Sequence, residues 1–433
     1  MPYNTTVTQA IRTLLLPLSS LLSGAGMLVV GVGLLFSVLG LRAASANFPT
    51  VITGLIMSAY FVGYIVGTYL CPAIIHKVGH IRTFAAMASI ASTMPILHAL
   101  WIDPWFWGAL RLITGICLVG LYIVIESWLN ALAPIQHRGK IFSVYMSVTF
   151  VALALGQWLI LVGDPQGFIQ FALVSILFSF ALIPITLTPI DQPPAVSPPQ
   201  LDLRKLYKIS PLGLSVAVGS GLLNGAFYGM GAVYASAVGF SDIGVATFMA
   251  TTILGGAIFQ WPVGHFSDTH DRRYVMLWVC IGSAALAVLG FLFSRISENA
   301  LVILGILYGG MVFTLYGLCV AHVNDMIEPS RVLEVTGGLL LLHGIGAAFG
   351  PTLAGIVMNT VGPASLMLYF ALILGLLAFY TVKRISAAPA VPETEKSNYV
   401  ALTGSTPVAL QVDPLTAMAD ENISEPDISS KSY

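Results

Sequence analysis

The sequence predicts an all-α membrane protein with twelve spanning helices in two bundles of six. Three observations predict it: a composition too apolar for water, twelve separate apolar runs, and polar landmarks that repeat at an offset near half the chain. Of 433 residues, 57% are hydrophobic and 9% charged, and mean hydropathy is +0.89. Soluble chains average about 45–50% apolar and about 25% charged, so there are too few charges to cover a water-facing surface. About 247 residues are apolar, enough for about twelve spans of about 20 residues. The formal net charge of −1 argues against nucleic acid as a partner.

The runs fall near 14–40, 50–72, 83–101, 105–131, 141–162, 168–188, 211–235, 244–266, 274–293, 300–323, 334–358 and 363–382. Ala44-Ser45-Ala46 resembles a signal-peptidase site. The run before it, about 27 residues, exceeds a signal h-region of about 7–15, so it is expected to be a retained first helix. Trp101, Trp105 and Trp107 cluster at a helix end as an interface belt. Cys71, Cys117, Cys280 and Cys319 lie in apolar runs with no zinc-ligand spacing, and read as small apolar helix residues. No metal or cofactor is expected.

Basic residues set the orientation. With the N-terminus inside, one side holds Arg12, Lys77, Arg82, Arg138, Lys140, Arg204, Lys205, Lys208, Arg272, Arg273, Arg331, Lys383, Arg384, Lys396 and Lys431. The other side holds Arg42 and Arg295, and Arg111 falls inside span four. Positive loops stay in the cytoplasm, so both termini are expected there. Residues 1–188 form the first bundle, 189–210 a proline-rich cytoplasmic linker, 211–385 the second bundle, and 386–433 a disordered cytoplasmic tail.

The halves repeat. Pro72 to Arg82 after span two aligns with Gly264 to Arg273 after span eight, matching His76 to Asp268 at an offset of 192. Asn130 and Pro134 align with Asp325 and Pro329 at 195, and Gly156 with Gly350 at 194. Such duplicated bundles mark secondary transporters, whose substrate site lies between the repeats near mid-membrane.

Over about residues 10–385 the chain resembles the major facilitator superfamily. Gly264-x-x-x-Asp268-x-x-Asp271-Arg272-Arg273 resembles its loop signature GxxxDRxGRR, with Asp271 in place of the second glycine and Thr269 of the first basic residue. In the first-half copy Pro72 stands for glycine and His76 for aspartate, while Lys77, Gly79 and Arg82 survive. Arg111-x-x-x-Gly115 is similar to RxxxG in helix four, and Gly346 to Gly355 to GxxxGPxxGG, although in helix eleven rather than five. Glu126-Ser-Trp-Leu-Asn130 and His322-Val-Asn324-Asp325 resemble a poorly characterised bacterial inner-membrane branch. The resemblance implies two bundles related by a pseudo-two-fold axis and transport by alternating access.

A charge within hydrocarbon costs about 2.5–3.5 kcal/mol even on insertion scales, so each buried charge has two readings. Arg111 is either a snorkelling or packing arginine or a fixed positive charge in the cavity. Glu126 lies 15 residues beyond it, about 22 Å along the helix. It either carries a proton or pairs with Arg82 or Lys77. Asp325 joins an inner-face network with Arg272 and Arg273, or couples with His322 one turn away. His343 is a packing histidine or a proton or substrate contact. Tyr122, Gln157, Asn224, Tyr228 and Tyr316 are cavity candidates, and Gly346, Gly350 and Pro351 a bend in helix eleven. Gly63-x-x-x-Gly67 and Gly221-x-x-x-Gly225-x-x-x-Gly229 allow close helix contact.

The expected function is proton-coupled secondary transport of a small organic solute, with export slightly favoured over uptake. The expected partners are that solute, protons and the lipid bilayer, and the expected state is a monomer. No GxxxxGK[ST] loop points to ATP-driven pumping and no GxSxG to a hydrolase, so an enzyme is not expected. An uncoupled facilitator and a non-transporting sensor or partner-binding protein are the alternatives.

Overall fold

The structure, a computed structural model, describes residues 16–134, 137–164, 167–188, 193, 202–294, 296–328, 331–387, 396, 399 and 406. Arg12, Arg295, Pro329, Lys431 and all linker prolines but Pro193 lie outside the described residues, as does most of the tail.

Twelve helical spans are present among the described residues, each long and apolar enough to cross a bilayer. The first bundle comprises α1 (Leu16–Ser45), α2 (Thr50–Val78), α3 (His80–Leu100), α4 (Pro104–Leu132), α5 (Arg138–Trp158) and α6 (Ile169–Leu187). A short helix, α7 (Leu203–Ile209), lies in the linker, where the prolines predicted only extended chain. Past the last proline Asp202 caps it, accepting from the Lys205 backbone N–H at 3.0 Å. The second bundle comprises α8 (Pro211–Ala237), α9 (Asp242–Thr269), α10 (Arg272–Phe293), α11 (Glu298–Val312), α12 (Leu315–Asn324), α13 (Val332–Val361) and α14 (Ser365–Ala387).

The tenth span departs from the continuous helix that its apolar run predicts. It breaks at Phe313-Thr314 between α11 and α12. The Gln260 side-chain amide donates to the Phe313 carbonyl at 3.1 Å, supplying the partner that a continuous helix would have given it. Non-helical backbone at membrane depth persists only with such a partner.

The half-loops are also shorter than the motifs suggest. His76 and Lys77 form the last exposed turn of α2, and Gly79, at φ 86°, is the whole connection to α3. Gly264 and Asp268 likewise lie within α9, and Arg272 opens α10. Among the tryptophans, Trp105 is 73% exposed but Trp107 is fully buried. Its indole N–H donates to the carbonyls of His98 and Trp101, so it belongs to the core rather than the interface belt.

Small residues bring the helices together. A Cβ on Gly63 would stand 2.0 Å from the Leu112 carbonyl, and one on Gly115 2.1 Å from that of Tyr60, so α2 and α4 meet backbone to backbone. Gly221 and Gly225 of α8 meet His343 and Ala347 of α13 in the same way, and Gly346 and Gly350 answer from α13. α13 runs unbroken through Pro351. Between the bundles, α2 packs on α13, α5 on α9 and α1 on α8. Exchanging the halves turns the first pair into the second, as a pseudo-two-fold axis requires. The tight contacts there lie at the end remote from the basic loops: Thr50 Oγ1 donates to the Gly355 carbonyl at 3.1 Å, the Ser58 and Thr352 hydroxyls lie 2.8 Å apart, and Gly54 abuts the Pro351 carbonyl.

Candidate functional site

A cavity of about 170 Å³ lies between the bundles and is lined from both. On α2, Tyr60, Phe61, Tyr64 and Thr68 recur at helical spacing and share one face. Phe36, Tyr122 and Tyr145 join them from α1, α4 and α5. The second bundle supplies Asn224, Tyr228, Phe313, Tyr316 and His343. Ten lining side chains are aromatic, and none is Lys, Arg, Asp or Glu. Tyr228 stacks on Phe313 at 5.6 Å with planes 22° apart, and Phe36 reaches Tyr228 across the two halves at 6.1 Å. The helix break thus places Phe313 in the wall.

Two polar atoms in this wall are buried with no hydrogen-bond partner among the described residues: Asn224 Oδ1 and Tyr316 Oη. A buried polar atom left unpaired costs about 1–3 kcal/mol, and both atoms are sealed from the cavity that their residues line. His343 Nδ1 lies 3.1 Å from Ser220 Oγ, and its ring sits 4.6 Å from that of Tyr316.

Glu126 stands one side chain behind the cavity. It is 1% exposed, and Oε1 accepts from the Tyr145 hydroxyl at 3.1 Å. Oε2 accepts from Thr406 Oγ1. Hydroxyls, rather than Arg82 or Lys77, therefore occupy both carboxylate oxygens.

Arg111 is fully buried, its guanidinium 4.5 Å from the ring centroids of both Phe36 and Tyr60. It neither snorkels to an interface nor faces the cavity. The faces of two aromatic rings take the place of water around the charge and screen it from the cavity that the same rings line. Gln157 also departs from the cavity assignment. Its amide donates to the Gly33 carbonyl at 2.9 Å and its carbonyl accepts from Ser37 Oγ, clamping α1 to α5.

In the second bundle Arg272 is 1% exposed at its side chain and donates from Nε to Asp325 Oδ2 at 2.7 Å. It also meets Asp268 Oδ1 at 3.2 Å, while Arg273 pairs with Asp271 at 2.7 Å. The network ties α9, α10 and the end of α12 together within one bundle. His322 is buried one turn before Asp325, whose carboxylate is committed to Arg272. In the first half, Lys77 and Arg82 are exposed, and His76 brings no carboxylate to that position.

Tyr60, Tyr64, Tyr145 and Phe313 are cavity residues that the sequence reading passed over. The i, i+4 pair Tyr60-Tyr64, continued by Thr68, is a legible stripe, whereas nothing local marks Phe313. Among the described residues no group of three or more His, Cys, Asp or Glu side chains could hold a metal ion.

This geometry has counterparts among known proteins. The family model described as Major Facilitator Superfamily matches residues 21–315 and 213–418, and the chain belongs to that superfamily of integral membrane transporters. It is 28% identical over 359 residues to an uncharacterized MFS-type transporter of Enterobacter sp. (strain 638), covering 82% of this chain and 92% of that one. A second uncharacterized MFS-type transporter, from Yersinia enterocolitica, is 26% identical over 392 residues, covering 89% and 98%. In fold the chain is similar to the nucleoside transporter NupG, with a TM-score of 0.66 at 16% identity over 85% of this chain and 98% of that one. It is also similar to a bacterial homologue of the human lysosomal transporter Spinster in an inward-facing and occupied conformation, with a TM-score of 0.66 at 13% identity over 98% and 97%.

Proposed function

We propose that the chain is a monomeric secondary active transporter of the bacterial inner membrane, with both termini cytoplasmic. It moves a small, uncharged, ring-bearing organic solute by alternating access, driven by protons, with export slightly favoured over uptake. The observation that carries this reading is the cavity itself: an aromatic chamber between the two bundles whose lining holds no Lys, Arg, Asp or Glu. Planar solutes stack on such walls, whereas an ion would enter with no counter-charge. Nucleosides, the solutes that NupG's name gives it, fit this description. The tight seal at one end supports an arrangement open toward the basic, cytoplasmic end. Glu126, one phenol behind the wall, is the group assigned to carry the proton.

The test is flux into proteoliposomes for a panel of uncharged aromatic solutes and their anionic analogues at two internal pH values. Flux of an uncharged solute that grows with the pH gradient supports the proposal. A preference for anions, or no flux across the whole panel, overturns it.

A further inference from the structure

The described residues of the tail do not lie apart from the bundles. Tyr399 enters the basic end of the second bundle, where its backbone N–H donates to Asp268 Oδ1 at 2.9 Å and its hydroxyl to Gln260 Oε1. Its ring fills a slot that two glycines create: a Cβ on Gly264 would lie 2.2 Å from the ring, and one on Gly317 2.4 Å from its hydroxyl. Lys396 Nζ donates to the His270 carbonyl at 2.9 Å. Thr406, 1% exposed, reaches the opposite bundle and donates to Glu126.

We propose that the basic-end vestibule is a docking site for the chain's own C-terminal segment, with Tyr399 seated in the second bundle and Thr406 on the first, so that the docked tail holds the vestibule occupied and the carrier at rest. The inference rests on the transporter reading for its consequence. Three features argue for it. The two anchors, Tyr399 and Thr406, lie on different bundles, so movement of one bundle against the other must break one of the two contacts. Gln260 holds both the tail phenol and the Phe313 carbonyl at the helix break, which couples the docked ring to the residue stacked on Tyr228. Glu126 has one carboxylate oxygen engaged by Thr406, so the tail also competes for the assigned proton site.

The tether makes weak contacts sufficient. Tyr399 follows the end of α14 by 12 residues, a reach of about 40 Å, and attachment by a short linker gives an effective concentration of order millimolar. Burial pushes the Tyr399 phenol above its ordinary value, so it donates as a neutral group throughout the physiological range.

The test needs no solute. In full-length protein with the four native cysteines replaced by Ala, Thr149→Cys places a thiol in the cavity wall. Its labelling by a membrane-impermeant maleimide is followed in parent, Tyr399→Ala/Thr406→Ala and a chain ending at Ala387, each checked for a single size-exclusion peak. Labelling at least about five-fold faster in both tail variants supports docking. Equal rates in all three overturn it and leave the flux proposal intact. Absent flux with tail-dependent labelling overturns the transporter reading instead. A second variant, Tyr399→Phe, keeps the ring and removes the bond to Gln260. A rate between those of the parent and Tyr399→Ala/Thr406→Ala supports seating by ring and hydroxyl together, and a rate equal to that of the double variant overturns the part assigned to the ring slot.

Discussion

Arg272 and Asp325 form an ion pair at 2.7 Å in which both side chains are almost wholly buried, at 1% and 2% exposure. One comes from the start of α10 and the other from the end of α12, so the pair ties two helix termini that the chain separates by 53 residues. Breaking such a pair costs more than never having had it: without Asp325, Arg272 keeps its contact to the more exposed Asp268 at 3.2 Å but loses its shortest, most buried counter-charge. Arg272→Ala and Asp325→Ala should each destabilise by about 3–5 kcal/mol. The double variant Arg272→Met/Asp325→Leu should recover most of that loss. Thermal unfolding in detergent measures both, and additive losses would contradict the coupling.

Asp271 predicts a pH dependence. Burial pushes its carboxyl up, but the Arg273 side chain and backbone N–H outweigh that effect and hold it below its ordinary 3.8. A carboxyl lowered in the folded state stabilises above its unfolded value and loses that contribution as pH falls through the folded one. Acidification below about pH 4 should therefore lower the thermal midpoint of the parent more than that of Asp271→Asn. Parallel curves for the two proteins would show that the Arg273 contact contributes nothing.

The close approach of α2 and α4 is tested at Gly63. A methyl group there would meet the Leu112 carbonyl at 2.0 Å, a backbone atom that cannot swing away. Gly63→Ala should cost about 1–3 kcal/mol by overpacking. Gly108→Ala, with nothing within 4 Å of the new carbon, should be neutral or slightly stabilising. Equal midpoints for the two variants would refute the packing claim.

Arg111 is held by two ring faces rather than by a carboxylate. Arg111→Met removes cation–π contacts worth about 2 kcal/mol when desolvated. It also removes two buried donors, Nε and Nη2, that have no partner among the described residues and cost about 1–3 kcal/mol each, so stability should be unchanged or raised. Arg111→Lys should lower stability, because it keeps a charge in the buried site while an ammonium lacks the flat guanidinium face that the two rings hold. Neither change should alter discrimination between uncharged and anionic solutes, since Phe36 and Tyr60 stand between the charge and the cavity. An altered selectivity in the flux assay would place the charge in the cavity after all.

Glu126→Gln keeps the shape of the side chain and its contacts to hydroxyls while removing the exchangeable charge. It should abolish uphill, pH-driven flux and leave solute exchange at equal pH within about two-fold, because exchange needs no net proton movement. Unchanged pH dependence would move the proton to another group or favour an uncoupled facilitator.

Much of the fold is legible in the sequence because the cost of placing each segment in hydrocarbon is a local sum. The Arg111-x-x-x-Gly115 spacing puts a small residue one turn from the arginine, and the Tyr60 carbonyl of α2 packs against it. The cavity is less legible. Tyr122, Asn224, Tyr228, Tyr316 and His343 line it, but Gln157, as polar and as central in its helix, faces Gly33 and Ser37 instead. Helix rotation decides between those fates, and an apolar helix with polar residues on more than one side carries no local signal of its rotation.

The sequence alone determines the twelve spans, their division into two equivalent sets, the basic end, and the presence of one acid deep in the fourth span. Each follows from transfer energies and spacings that any segment carries with it. Only the tertiary structure decided that ten aromatic side chains close into one chamber, that Gln260 steadies a broken helix, that two rings enclose Arg111, and that Tyr399 and Thr406 lie against opposite bundles. Those outcomes depend on how separately stable helices pack, and distant residues become neighbours only once the whole bundle is assembled.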